Sequence, residues 1–253
     1  MWGSIGFIVC SFASAFLVEN LGLSVTPWLV GLLLFSFWPI SRLLSDRQRK
    51  MPPYRSVLCL LKRPAVSVLL LLCAVAQLSH GAYYGFFSLY MYDHGYTTGA
   101  IGLLWALGVF AEVVVFIFVP AWLKRFGALS LFAASFLFSV LRWCLIAWWP
   151  TNLPVVIFAQ TLHAATFGVY HVAAISLIDQ WFPSGFQGRG HALYSGISFG
   201  IGGAIGIFIA GHLWSQWSGA QVFLLSAAVA ALGFVAACYL YRFAGCGAAR
   251  VLP

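Results

Sequence analysis

Long apolar runs alternate with short polar connections along the chain, and this pattern predicts membrane-spanning helices. Eight runs approach the roughly 20 residues that a helix needs to cross a bilayer. Their predicted bounds are 3–22, 25–41, 65–89, 98–120, 128–149, 153–178, 190–213 and 219–241. Because the runs are continuous and do not alternate, we predict an all-α polytopic membrane protein with about eight transmembrane helices.

Composition agrees with a lipid-facing surface. Of the 253 residues, 62% are apolar and 7% are charged, whereas soluble domains average about 45–50% apolar and about 25% charged residues. The net charge of +8 would also suit nucleic-acid binding, but the basic residues lie in the connections between apolar runs. We therefore expect the lipid bilayer as a partner and no nucleic acid.

The distribution of lysine and arginine predicts an orientation. Twelve of the thirteen basic residues fall on one side of the predicted helices, and seven of them lie in the connection 42–64. Cytoplasmic loops carry this excess in membrane proteins. The expectation is a multi-pass protein of the cell membrane, a bacterial inner membrane, with both termini in the cytoplasm.

The exception is Arg142, which lies within an apolar run, and Glu112 lies within the preceding one. A charge at the bilayer centre costs at least ~2.5–3.5 kcal/mol, so it is expected to have a partner or to face water. One interpretation is a structural ion pair that fixes helix packing. We favour a substrate-binding or proton-coupling pair facing a polar cavity, because intramembrane charges usually mark such pathways.

Two histidines, His163 and His171, occupy one predicted helix eight residues apart. At 100° per residue of an α-helix, their directions differ by about 80°, so both can face one cavity. Gln160 lies close to His163 on the same side. Histidine titrates near neutral pH, so a proton or ligand role is as plausible as hydrogen-bonded packing.

Aromatic and polar side chains in the third and fourth predicted helices provide further candidates for a binding site. His80, Tyr83 and Tyr84 occur in SHGAYYGF, and Trp105 follows in the next run. Such groups can stack on a ring and hydrogen-bond its polar end. Tyrosine and tryptophan also anchor helices at the membrane interface, and that alternative remains open.

Glycines recur at a spacing of four in the seventh predicted helix. The pairs are Gly196 with Gly200 and Gly202 with Gly206. Small residues at this spacing allow close helix approach. Static packing is one interpretation, and a sliding or rocking interface is the other.

Motifs of enzymes are missing from the sequence. It contains no HExxH zinc motif, no Walker or dinucleotide glycine fingerprint and no GxSxG nucleophile elbow. The six cysteines also lack metal-binding spacing. We therefore predict that the protein is not an enzyme and uses neither cofactor nor metal.

The segments MWGSIGF, HGAYYGFFSLY, GLLWALGVFAEVVVFIF, LRWCLIA and QTLHAATFGVYH resemble the 3-phenylpropionate transporter group of the major facilitator superfamily. This group is related to the lactose and nucleoside proton symporters. In the lactose permease branch, a glutamate of helix eight, an arginine of helix nine and a histidine of helix ten join substrate binding to proton coupling. The resemblance places Glu112, Arg142 and His163 in those helices, with His171 also in helix ten.

The resemblance also implies a domain organisation in which the major facilitator fold lacks its first four helices. Residues 1–41 would be the last two helices of an N-terminal bundle, 42–64 the cytoplasmic basic loop, 65–243 a complete six-helix bundle and 244–253 a cytoplasmic tail. The implied function is symport of protons with a small organic solute, such as an aromatic carboxylate, a sugar or a nucleoside. A separately encoded N-terminal half is then a candidate partner, and a truncated, non-transporting remnant or assembly partner is the alternative.

Overall fold

The computed structural model describes residues 20–43, 61–183 and 185–247, together with positions 6, 10, 13, 14 and 17. Every regular element in these parts of the chain is a helix. The chain divides into two units, Met1–Tyr54 and Arg55–Pro253, and the division falls within the predicted connection 42–64. Most of the first predicted span, most of that connection and positions 248–253 lie outside the described residues.

In the first unit, the principal described helix is α1, Thr26–Leu43. It follows a short 3₁₀ turn at Leu23–Val25, after Gly22, whose φ of 82° is one that glycine adopts without strain. The predicted span 25–41 corresponds to α1, but its uninterrupted apolar part is Thr26–Pro39, shorter than the other helices. Of the two spans predicted for this unit, the structure therefore describes one as a continuous helix.

The second unit contains six helices long and apolar enough to cross a membrane. They are α2 (Pro64–Asp93), α3 (Thr98–Phe126), α4 (Ala128–Trp148), α5 (Leu153–Trp181), α6 (Gln187–Trp214) and α7 (Gly219–Arg242). The six predicted spans of this region correspond to them one for one. The largest difference is the end of α3, which continues past Pro120 for a further six residues. The predicted helix ended there because proline and the following basic pair are usual signs of a helix end.

Local sequence accounts for the ends of these helices. The side chain of Thr97 caps α3 by accepting a hydrogen bond from the backbone N–H of Ala100 at 3.3 Å. The side chain of Asn152 does the same for α5, accepting from Val155 at 3.2 Å. Such caps satisfy backbone donors that the first helical turn leaves without partners. Gly127, with φ of 78°, separates α3 from α4 and gives the tight connection its left-handed backbone.

Two helices contain π-helical turns. In α5 the turn covers Ala164–Val169, and in α6 it covers Gly196–Gly203. A π turn has i→i+5 hydrogen bonds and holds more residues than an α turn, so each residue rotates the chain less. The angle of about 80° expected between His163 and His171 assumed an uninterrupted α-helix. The π turn between them brings the two side chains closer to one direction.

The buried apolar side chains form two clusters, one toward each end of the bundle. One cluster includes Leu69, Phe132 and Leu177. The other includes Phe87 and Phe223. In α2, α4 and α5 most buried polar residues fall between the segments that supply the two clusters, and this layer includes His80, Arg142, Gln160 and His163. The candidate site therefore occupies a polar layer inside an otherwise apolar bundle.

The glycines predicted to mediate packing separate into two kinds. A Cβ atom added to Gly202 would lie 2.4 Å from the carbonyl oxygen of Ala74, and one added to Gly206 would lie 2.6 Å from that of Leu78. Both glycines therefore let α6 approach the backbone of α2 closely. For Gly196 and Gly200, a Cβ would meet no described atom within 4 Å. The structure thus assigns the close approach to only two of the four glycines.

Candidate functional site

Arg142 is the centre of the polar layer, and its side chain is fully buried. Its guanidinium makes four hydrogen bonds to groups of α5. Nε donates to the carbonyl oxygen of Ala159 at 3.0 Å, Nη1 donates to Thr166 Oγ1 at 3.1 Å and to Nδ1 of His163 at 3.1 Å, and Nη2 donates to Gln160 Oε1 at 3.0 Å. These hydrogen bonds replace the hydrogen bonds to water that the guanidinium loses when it is buried.

Aromatic faces enclose the same guanidinium. Its central carbon lies 4.1 Å from the ring centre of Tyr83 and 4.8 Å from that of Trp143. The negative faces of aromatic rings attract cations, and more strongly where water is excluded. The guanidinium is thus contacted by hydrogen-bond acceptors of α5 and by two aromatic rings.

His163 lies between Arg142 and Glu112. Its Nδ1 faces Arg142, and its Nε2 lies 3.6 Å from Glu112 Oε2. Since Arg142 donates to Nδ1, that nitrogen accepts, and the ring proton is on Nε2, directed at the carboxylate. A direct pair between Glu112 and Arg142 was expected from the sequence, and the structure places an imidazole between the two charged groups instead.

The contact between His163 and Glu112 is longer than a hydrogen bond, which requires about 2.7–3.2 Å between nitrogen and oxygen. The two side chains belong to different helices, α5 and α3. An approach of under 1 Å between these helices would therefore bring the two atoms within hydrogen-bond distance.

Two glycines make room for this arrangement. A Cβ on Gly168 would lie 2.9 Å from Cγ of Glu112, and a Cβ on Gly108 would lie 3.4 Å from Cβ of His163. Gly168 belongs to the π turn of α5, and Gly108 belongs to α3. The close approach of α3 and α5 at the acidic and imidazole side chains thus depends on missing side chains.

Gln160 and Tyr83 join the helices around the arginine. The Tyr83 hydroxyl donates to Gln160 Oε1 at 3.0 Å, and the same oxygen accepts from Arg142. Both side chains are buried. The amide nitrogen of Gln160 has no hydrogen-bond partner among the described residues, so this donor is available to a bound molecule or water.

The structure places the other predicted site residues of α2 and α3 around Tyr83. Trp105 lies 4.5 Å from Tyr83 between ring centres, and its indole N–H donates to Ser88 at 3.0 Å. The ring of His80 stacks on that of Tyr84 with centres 5.8 Å apart, and its Nδ1–H donates to the carbonyl oxygen of Ala76 at 2.8 Å. His80 is buried, whereas Tyr84 is 38% exposed. Tyr84 and the partly buried Trp105 are therefore members of this group with accessible surface.

His171 belongs to a separate group. Its Nδ1 lies 2.8 Å from the hydroxyl of Tyr194 on α6. The ring of Phe167 lies between His163 and His171, with centre distances of 5.3 Å and 6.1 Å and nearly parallel planes. The two histidines thus face the same side, as expected from the sequence, but a phenyl ring separates them.

Several residues of the site escaped the sequence analysis. They are Trp143, Thr166 and Gly168, and of these Trp143 and Gly168 had no signal that distinguished them from ordinary residues of apolar helices. Thr166 lies three residues after His163 and could have been found as a polar neighbour on the same helix face. Trp143 and Gly168 act through contacts with other helices, which a single sequence does not reveal. Among the described residues, no group of three or more potential metal ligands is found.

Comparison with known proteins shows relatives among transporters. The chain is 34% identical over 239 residues to the probable 3-phenylpropionic acid transporter of Escherichia coli K12, covering 91% of this chain and 61% of that protein. It is 26% identical over 157 residues to the uncharacterized transporter YwbF of Bacillus subtilis 168, covering 62% of this chain and 39% of that protein. The chain thus spans less than two thirds of the length of either relative.

Two crystal structures of the nucleoside transporter NupG, one of them of a mutant, share the fold. For the mutant the TM-score is 0.73 at 15% identity, with 95% of this chain and 66% of that chain covered. For the other structure the TM-score is 0.69 at 16% identity, with the same coverage. The relatives are transporters and not enzymes, as predicted, and the six apolar helices agree with a multi-pass membrane protein. The model of the MFS_1-like family matches residues 1–225. The chain therefore belongs to this family of the major facilitator superfamily.

Proposed function

We propose that this chain acts in secondary active transport, moving a small organic solute together with protons by alternating access. The observation that carries the proposal is the position of His163, with one ring nitrogen on Arg142 and the other facing Glu112. The name of the relative from Escherichia coli, which specifies an organic acid, supports an aromatic carboxylate as the solute. A sugar or nucleoside solute is the wider class within the same proposal.

The charges of the polar layer provide a coupling mechanism. Arginine side chains stay protonated in proteins, so Arg142 carries a positive charge. An ionised Glu112 balances this charge through His163. When Glu112 takes up a proton, the layer gains a net positive charge inside a medium of low dielectric constant. An anionic solute then binds more favourably, because it replaces the lost negative charge. Proton and carboxylate would therefore be carried together.

Alternating access would follow from rocking of two helix bundles around this midplane layer. The contact of 3.6 Å between His163 and Glu112 joins α5 to α3, so movement of these helices changes the environment of the carboxylate. We also propose that the protein lies in a bacterial inner membrane with both termini in the cytoplasm, because its basic residues are concentrated on that side.

A second candidate function is a non-transporting membrane protein or assembly partner, in which the polar layer only fixes packing. The burial of Arg142 favours it, because the guanidinium has no exposed surface and already makes four hydrogen bonds. A substrate carboxylate would have to displace one of these partners before it reached the guanidinium. The two candidates therefore differ in whether neutralising Glu112 affects transport or only stability.

The test is uptake of labelled 3-phenylpropionate by liposomes containing the 253-residue chain. An inward proton gradient should drive accumulation, and a protonophore should abolish it. Glu112→Gln should reduce the gradient-driven component at least tenfold, since the side chain keeps its shape but no longer titrates. Asp93→Asn also replaces a carboxylate by an amide, but at an exposed helix end. It is the matched control and should retain uptake. Absence of gradient-driven uptake by the unmodified chain would contradict the proposal and support the second candidate.

A further inference from the structure

Four aromatic rings from α5 and α6 form a continuous group that the coupling mechanism does not use. We call it the aromatic platform, and its members are Phe167, His171, Tyr194 and Phe199. The centre of the Phe199 ring lies 6.1 Å from that of Phe167, 6.3 Å from that of His171 and 5.6 Å from that of Tyr194. Because the rings touch one another, they leave no room between them and present their outer faces and edges to a neighbour.

The platform is partly exposed, at the depth of the membrane. Phe199 is 38% exposed, and Phe167 and His171 are half-buried. Ionisable side chains within membrane spans almost always face the bundle interior or a water-filled cavity. The incomplete burial of His171 therefore indicates that this face borders a polar space and not lipid.

Hydrogen bonds behind the platform fix the orientation of its imidazole. Tyr194 contacts Nδ1 of His171 at 2.8 Å. Next to it, Tyr170 and Ser198 lie 3.0 Å apart, and both donate to the carbonyl oxygen of Cys73. When the Tyr194 hydroxyl donates to Nδ1, the ring proton of His171 must be on Nε2. In that tautomer Nε2 is a donor, and it has no hydrogen bond to any described residue although the side chain is partly exposed.

The platform also adjoins the coupling residues. The ring of His163 stacks on Phe167 with centres 5.3 Å apart and planes within 5°. Because His163 and His171 cover the two faces of Phe167, a flat solute would rest on Phe199 and contact the edge of Phe167, beside the imidazole that faces Glu112. Its acidic group can accept a hydrogen bond from Nε2 of His171 while its ring contacts the two phenyl rings.

We propose that the aromatic platform is the ring-binding subsite of the transported solute, and that it selects flat aryl carboxylates over carboxylates with saturated rings. Phe167 and Phe199 supply ring contacts, and His171 supplies the hydrogen bond to the carboxylate. This inference rests on the proposed function in taking the solute to be an organic acid. Aromatic pairs contribute about 0.5–1.5 kcal/mol beyond the area they bury, so the preference for an aromatic ring is roughly two- to twelvefold in affinity.

Equilibrium binding to the purified 253-residue chain, without any proton gradient, tests the subsite. The probes are 3-phenylpropionate and 3-cyclohexylpropionate, which share the carboxylate and differ in the ring. The unmodified chain should prefer the phenyl acid by the factor given above. Phe199→Leu and Phe167→Leu should reduce this preference toward one. His171→Phe keeps an aromatic ring but loses the N–H, so it should weaken both acids about tenfold and leave their ratio unchanged.

Phe208→Leu is the matched control for the leucine variants, because Phe208 lies on the same helix, is 76% exposed and is outside the platform. It should leave affinity and preference unchanged. Circular dichroism and size-exclusion chromatography establish that each variant is folded. Equal affinity of the unmodified chain for the two acids, no binding of either acid, or an unchanged preference in both leucine variants would overturn the inference. Selective binding without proton-driven uptake would leave the subsite in place and refute the proposed coupling, so the two failures are distinguishable.

Discussion

Replacing glycines of α6 with alanine tests whether the structure identifies the helix contact correctly. The sequence pattern treats Gly200 and Gly206 alike, since each ends a pair of glycines at a spacing of four. In the structure, an added Cβ at Gly206 would lie 2.6 Å from the carbonyl oxygen of Leu78 and 2.9 Å from its Cα, whereas at Gly200 it would meet nothing within 4 Å. The two substitutions therefore make the same chemical change in different surroundings.

The expected free energies differ in sign. At Gly206 the new methyl group would lie about 1 Å closer to Leu78 than the roughly 3.5 Å optimum for contact. Its neighbour is backbone, which cannot rotate away. Overpacking of this kind costs about 1–3 kcal/mol, against about 1 kcal/mol gained because alanine is the better helix former. Gly206→Ala should therefore destabilise the protein by up to about 2 kcal/mol. Gly200→Ala should stabilise it by about 0.5–1 kcal/mol.

The assay is equilibrium unfolding of the purified protein in mixed micelles with increasing fractions of denaturing detergent, followed by circular dichroism. The unmodified chain provides the reference, and Gly202→Ala should behave like Gly206→Ala because its Cβ would lie 2.4 Å from the carbonyl oxygen of Ala74. Equal effects of Gly200→Ala and Gly206→Ala, or stabilisation by both, would refute the close approach of α6 to α2.

Two further predictions concern the polar layer. Arg142→Gln should destabilise the protein by about 3–5 kcal/mol, because it leaves Glu112 buried without its opposite charge. The double variant with Glu112→Gln should recover part of this loss. Strictly additive effects of the two substitutions would show that the two groups do not interact. Thr166→Val should cost about 1.5–3 kcal/mol through the lost hydrogen bond to the guanidinium. Thr161→Val is its control, since that exposed hydroxyl bonds only within its own helix, and comparable losses for both threonines in the unfolding assay would contradict the role given to Thr166.

Much of the fold could be predicted from the sequence because spanning helices follow from local composition. The six predicted spans of the second unit correspond to α2–α7, and errors are confined to helix ends such as the continuation of α3 past Pro120. The π turns could not be predicted from hydrophobic spacing, since they depend on packing between helices. The angle of about 80° expected between His163 and His171 assumed an uninterrupted α-helix and so did not allow for the π turn between them.

The candidate site shows the same division. A lone charge in an apolar run is visible in any sequence, so Arg142 and Glu112 could be selected from the cost of burying them. The order of the groups could not be foreseen, because a side chain inserted between two charges belongs to a third helix. His163 therefore emerged as the bridge only in the structure, and the aromatic platform emerged because α5 and α6 bring four rings together.

The sequence by itself determined that this protein is a helical membrane protein and which of its residues are costly to bury, since both follow from the free energy of transferring each side chain into lipid. Only the tertiary structure decided which of these residues meet. Arg142 is enclosed by partners from α2, α4 and α5. Among the described residues, an added Cβ would meet a neighbouring helix at Gly202 and Gly206 but not at Gly196 or Gly200. Contacts between helices depend on the rotation and separation of their axes, and a hydrophobic pattern of one helix contains neither quantity.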